Sequence, residues 1–129
     1  MAAKFAGGKN IAMKVPPHQY DATVAFYRDL LGLEPIGGPA GDAVGFVFGP
    51  NNLWIDKVPA MSQAELWLEI VTDNTAEAAE LLAEANVVRC DEIENLGEAF
   101  DGFWISSPSA IIHLVDAKDG SWEEGGARE

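Results

Sequence analysis

Apolar and polar residues alternate along "NIAMKV", where Ile11, Met13 and Val15 separate Asn10, Ala12 and Lys14. A period of two marks a half-buried strand, because successive side chains leave a strand on opposite faces. After Pro16 and Pro17 the period changes. Ala22, Ala25, Phe26 and Leu30 recur along one face of a helix, with Asp21 as its expected N-cap. Gly32 stands where that helix should end, since glycine enters the left-handed conformation without strain. Three short β-like runs follow, "LEPIGG", "AVGFVFG" and "LWIDKV", separated by the turn chemistry of "GGPAGD" and "GPNN".

The same order then recurs. In "ELWLEI" Leu66, Leu68 and Ile70 alternate with Glu65, Trp67 and Glu69. Asn74 with Glu77 forms a capping box for a second helix, whose apolar stripe is Ala78, Leu81, Leu82 and Ala85. Asn86 stands where Gly32 stood, and "VVRCDEI", "GFWIS" and "AIIHLVD" read as three further strands. The pairs Val15/Ile70, Gly32/Asn86, Pro50/Pro108 and Asp56/His113 keep a nearly constant spacing. The pattern predicts an α+β fold of two tandem βαβββ modules, residues 8–58 and 64–117, within one domain. If Ile11, Met13 and Val15 seek the core, then Asn10, Ala12 and Lys14 face the other way. The same logic sends Glu65, Trp67 and Glu69 to the face away from the core. With Ile112 and Leu114 packed on a helix, His113 is expected on that face as well.

"VAFYRDLLGL", Val24 to Leu33, resembles the helix ending of the glyoxalase/bleomycin-resistance/dioxygenase superfamily, also called vicinal oxygen chelate proteins. "GFWISSPSAIIHLV" is similar to that family's closing hairpin, and the resemblance covers residues 8–117. It implies mixed or antiparallel sheets that curl around a cleft, with Asn10, Lys14, Glu65, Trp67, Glu69 and His113 pointing into it. It also implies, in metal-using members, one ligand on the first and one on the last strand of each module. Carried onto this chain, the ligand positions fall on Asn10, Asp56, Glu65 and His113. Asn10 and Glu65 depart from the usual histidine or glutamine. Asp56, Glu65 and His113 would make a two-carboxylate, one-histidine triad suited to a divalent metal: Mn, Fe, Ni or Zn.

Charge and chemistry narrow the function. The chain has 129 residues, 21 acidic and 8 basic, for a formal net charge of −13. Such a surface repels phosphate backbones and excludes nucleic acid as a partner. No apolar run is long enough to span a membrane, and the start carries no signal-peptide pattern. The single cysteine, Cys90, suits a reducing cytoplasm. Residues 118–129 are rich in glycine and charge and are expected to be mobile, with Trp122 a candidate to dock on a partner. His18 reads as an exposed loop histidine, Cys90 as a strand residue, and Lys14 with Glu69 as a solvated rim pair. "GGPAGDAVG" lacks the Gly-Lys-Ser/Thr of a phosphate cradle and reads as a turn.

The leading expectation is a metal-independent small-molecule binding protein, or an isomerase- or lyase-like enzyme, with no cofactor. Its ligand lies against Trp54, Trp67, Glu69 and Asn10, and Glu65 and His113 provide acid–base chemistry. An aromatic or cationic organic ligand suits indoles flanked by carboxylates. The competing expectations are a metal-dependent lyase, isomerase or dioxygenase using Asp56, Glu65 and His113, and a structural dimer with a filled cleft. Family resemblance and sheet edges both point to a homodimer.

Overall fold

The period-two and helical segments both form, in the expected order. The computed structural model describes residues 3–40 and 43–117, with side chains described except at 37–40 and 43. Strand β1 (Phe5–Val15) leads into helix α1 (Pro17–Ala25), a π-helical turn (Phe26–Leu30), and strands β2 (Pro35–Ala40), β3 (Ala43–Phe48) and β4 (Asn51–Lys57). Strand β5 (Glu65–Thr72), helix α2 (Thr75–Glu84), β6 (Val88–Arg89), a 3-10 turn (Asp91–Ile93), β7 (Gly102–Ser106) and β8 (Ile112–Ala117) repeat the plan. The fold is α+β with two βαβββ modules. No helix among the described residues is long and apolar enough to cross a membrane. The expectations for residues 118–129 lie outside the described residues.

The described chain divides into two compact units, residues 9–67 and residues 3–8 with 68–117. In the first, the strand order is β2-β3-β4-β1, with β1 and β4 parallel and the other pairs antiparallel. Helix α1 covers one face. Its Val24 is buried against Val15, Phe46, Leu53 and Ile55, with Ile11, Met13, Tyr20 and Tyr27 packed around them. In the second unit, the order is β5-β8-β7-β6, with β5 and β8 parallel. There Ala78 of α2 packs on Phe103, Ile105 and Val115, with Ile70 and Leu82 alongside.

Helix termini follow local chemistry. Asn74 Oδ1 accepts from the Glu77 amide at 3.0 Å, as a capping box requires. At the other end Asn86 takes φ +65°. The Asn86 amide donates to Ala83 O and the Val87 amide to Leu82 O, the paired bonds of a Schellman closure. Gly32 takes φ +68° after the π-helical turn.

Four expectations are corrected. Helix α1 begins at Pro17 rather than after Asp21, because proline at the first helical position needs no amide partner and has its φ already set. The run "VVRCDEI" pairs only at Val88 and Arg89, and then its acidic residues enter the 3-10 turn. On β5 the alternation holds, but the covered row is the other one. Trp67 and Glu69 are buried, whereas Leu66 and Leu68 are 48% and 38% exposed. On β8, Val115 packs under α2, so His113, two residues earlier, lies on that same face. Ile112 and Leu114 point to the opposite face, so the sequence-based facing of His113 is reversed.

Candidate functional site

The face of residues 9–67 turned away from α1 carries a connected set of polar and aromatic side chains. Register explains their convergence. The parallel pairing of β1 with β4 sets Asn10 beside Asn52, Ala12 beside Trp54 and Lys14 beside Asp56. Paired residues share a face, so this row is Asn10, Lys14, Asn52, Trp54 and Asp56.

Lys14 lies at the centre. It is buried, at 3% exposure, and its Nζ donates to Asp56 Oδ2 at 2.6 Å. The Asp56 side chain keeps 26% exposure. The same ammonium lies 4.5 Å from the centroid of the Trp67 ring, within cation–π range. Trp67 in turn donates its Nε1–H to Glu65 Oε1 at 2.9 Å. Glu65 is exposed, so one of its oxygens is fixed by an indole while the carboxylate faces solvent. The expectation of Lys14 and Glu69 as a solvated rim pair is overturned, because both are buried.

Asn10 organises the other end. Its Oδ1 accepts from Trp54 Nε1 at 2.7 Å and from Asn52 Nδ2 at 3.1 Å. The amide is 4% exposed, so these bonds are made away from water. Trp54 lies flat on Gly45 of β3. A Cβ at Gly45 would stand 2.5 Å from Trp54 Cε3 and Cζ3, closer than any side chain tolerates. Glycine at 45 and the Asn10 carbonyl together fix the plane of a half-buried indole. Sequence reasoning missed Gly45, Asn52 and the role of Lys14. The signal for Gly45 was present as a glycine within an apolar strand, which marks a close approach.

In the unit of residues 3–8 and 68–117, Glu69 is 5% exposed, and its carboxylate lies where a Cβ at Gly8 would collide with it. Trp104 is buried on the same face as Glu69 and donates Nε1–H to Glu94 O at 2.9 Å. Asp116 is fully buried. His113 is half-buried on the α2 face, with Nδ1 3.0 Å from Ile111 O. A carbonyl accepts only, so Nδ1 is the donor in that contact.

The registers also redraw the internal repeat. Met13 aligns with Ile55 in one unit and Ile70 with Val115 in the other. Ile55 and Val115 are both fully buried beneath their helices, so they are the equivalent pair. Asp116, not His113, is thus the counterpart of Asp56, and Trp67, not Glu65, the counterpart of Asn10.

The donor set fits a divalent metal poorly. Among the described residues no three His, Cys, Asp or Glu side chains come together in a way that could hold a metal ion. At Asp56 a metal would have to displace an ammonium already bonded at 2.6 Å. At Asn10 the amide oxygen already accepts two hydrogen bonds.

The Cys90 thiol is pushed up from its ordinary value, first by burial and then by the nearby Glu92 and Asp91 charges. A raised thiol is a poor nucleophile at neutral pH.

No protein-family model and no curated protein matches the sequence. Solved structures do match in fold. The Mn(II)-bound glyoxalase from Novosphingobium aromaticivorans is similar with a TM-score of 0.62 and 18% identity, over 89% of this chain and 40% of that one. Methylmalonyl-CoA epimerase from Mycobacterium tuberculosis is similar with a TM-score of 0.60 and 12% identity, over 92% and 91% of the two chains. A glyoxalase/bleomycin resistance protein/dioxygenase superfamily member from Vibrio splendidus gives 0.53 and 11%, over 88% and 100%. The chain thus spans well under half of the glyoxalase and nearly all of the other two. At these identities what is shared is the fold. The chain has the fold of the glyoxalase/bleomycin-resistance/dioxygenase, or vicinal oxygen chelate, superfamily.

Proposed function

We propose that the chain binds a small organic molecule without a metal, either as a binding protein or as an isomerase- or lyase-like enzyme. The ligand is received on the face of residues 9–67 that carries Trp54, Asn52, Asp56 and Glu65. The observation that carries this reading is the Lys14–Asp56 bond of 2.6 Å, with the same ammonium against Trp67. A protein cation already neutralises the carboxylate that a metal would use.

The chemistry follows from what is left exposed. Trp54 offers a π surface whose orientation is fixed by Asn10 and Gly45. Glu65 is exposed, with one oxygen held by Trp67 and the other open to a ligand proton. That arrangement favours aromatic ligands that are neutral or cationic, since an anion is repelled by the Glu65 carboxylate. Glu65 is the group placed for proton transfer. His113, on the α2 face of the other unit, is assigned no role at this face.

The competing reading is a divalent-metal-dependent lyase, isomerase or dioxygenase using Asp56, Glu65 and His113, and its support is fold likeness to a glyoxalase solved with Mn(II). The test of the leading reading is a tryptophan-fluorescence titration with benzyltrimethylammonium, benzyl alcohol and benzoate, repeated on Trp54→Phe. The cationic and neutral probes should bind more tightly than benzoate, with the signal change lost in Trp54→Phe. Tightest binding by benzoate would contradict the proposed ligand class.

A further inference from the structure

We infer that the opposite, helix-bearing face of residues 9–67 holds a second small-molecule site, for a single-ring aromatic that carries a hydroxyl group. It is a concavity of about 440 Å³ lined by Met13 of β1, by His18, Gln19 and Ala22 of α1, and by Phe26 and Tyr27 of the π-helical turn. Met13 belongs to the strand row that faces the helix, whereas Asn10 and Lys14 face the other way. The two sites are therefore on opposite sides of one sheet.

The backbone builds this concavity. The Leu31 amide donates to Phe26 O at 3.0 Å, a five-residue closure in place of the four-residue one. Phe26 opens this turn and is 45% exposed. Phe26 meets Tyr27 edge to face, with centroids 4.9 Å apart. The edge-to-face contact holds both rings, and the flexible thioether of Met13 can adapt to a ring placed beside them.

Three polar groups at the same place make no hydrogen bond to the described residues. The His18 ring, the Gln19 side-chain amide and the Tyr27 hydroxyl have no hydrogen-bond partner among the described residues. The Thr23 hydroxyl, by contrast, is bonded to Gln19 O at 2.7 Å. An apolar concavity bordered by a few polar groups is a common form of small-molecule site. The size admits one ring system, and the three free groups offer both donors and acceptors. A phenolic hydroxyl, which donates and accepts, matches them better than a bare ring.

The experiment follows para-fluorophenol and fluorobenzene by fluorine NMR relaxation in the full chain, the Ala22→Trp, His18→Leu and Trp54→Phe variants, with light scattering on each. The phenol should bind saturably at roughly millimolar affinity, as small fragments do. Fluorobenzene should bind several-fold more weakly. Ala22 is exposed on α1, so Ala22→Trp fills the concavity from outside the core and should abolish binding. His18→Leu, also at an exposed position, should bring the phenol down to the level of fluorobenzene. Trp54→Phe should leave binding unchanged, which separates this site from the face proposed above. Absence of saturable binding, binding intact in Ala22→Trp, equal binding of the two probes, or loss in Trp54→Phe would each overturn the inference. So would a change in oligomeric state in Ala22→Trp with binding intact, because the face would then be an interface between copies.

Discussion

Replacing Lys14 with methionine removes one charge from a buried pair and keeps most of the apolar stem. The lysine side chain is 4% exposed and Asp56 26%. Removing one partner of a buried pair costs about 3–5 kcal/mol, because the other charge is left without compensation. Water reaching the partly exposed Asp56 recovers part of that. Loss of the contact with the Trp67 ring adds about 0.5–2 kcal/mol. The net expectation is a loss of about 3 kcal/mol. With an unfolding entropy of about 2.1 cal/mol/K per residue, that lowers the melting temperature of a chain of this size by about 10 °C. Lys14 makes further contacts, so a double-mutant cycle with Asp56→Asn is needed to isolate the pair, and its coupling should be about 2 kcal/mol. Urea denaturation of the four proteins gives both numbers. A loss under about 1 kcal/mol with coupling near zero would show the solvated rim behaviour that the sequence suggests, and would refute the argument.

Gly45→Ala should push the Trp54 ring off the strand, cost about 1–3 kcal/mol by overpacking, and shift tryptophan emission while weakening ligand binding. Unchanged emission would mean that the ring is not held flat. Cys90 should react slowly with a thiol reagent at neutral pH and show its rate rise displaced to higher pH, since a raised thiol supplies less thiolate at any given pH. Glu92→Gln should speed the reaction, and a fast reaction in the parent protein would contradict the assigned burial. Leu66 and Leu68 on β5 are both exposed, and a homodimer that covers them is expected. Light scattering at micromolar concentration should give twice the chain mass, and a monomer would rule it out.

Much of the fold was legible because it depends on local pattern. The period-two runs marked β1 and β5, and the helical stripe with its Asn74–Glu77 box marked α2. What failed was parity in strands apolar on both faces. In "AIIHLVD" either row can be buried, and only packing of Val115 under α2 decides that His113 shares its side. On β5 the leucines looked like the core row, yet Trp67 and Glu69 are the buried ones. Of the candidate site, Asn10, Trp54 and Asp56 were read onto one face and do share it. The burial of Lys14 was not legible, because a lysine opposite an aspartate on a neighbouring strand looks the same in sequence whether it is wet or dry. The π-helical turn leaves no sequence signature, since it differs from an α-helix by a single inserted residue.

Calorimetric titration of Mn²⁺ into chelator-treated protein tests whether a protein ammonium stands where a metal would bind. No saturable heat is expected in the parent chain. Saturable binding of about one ion per chain, lost in Asp56→Asn or His113→Ala, would contradict it.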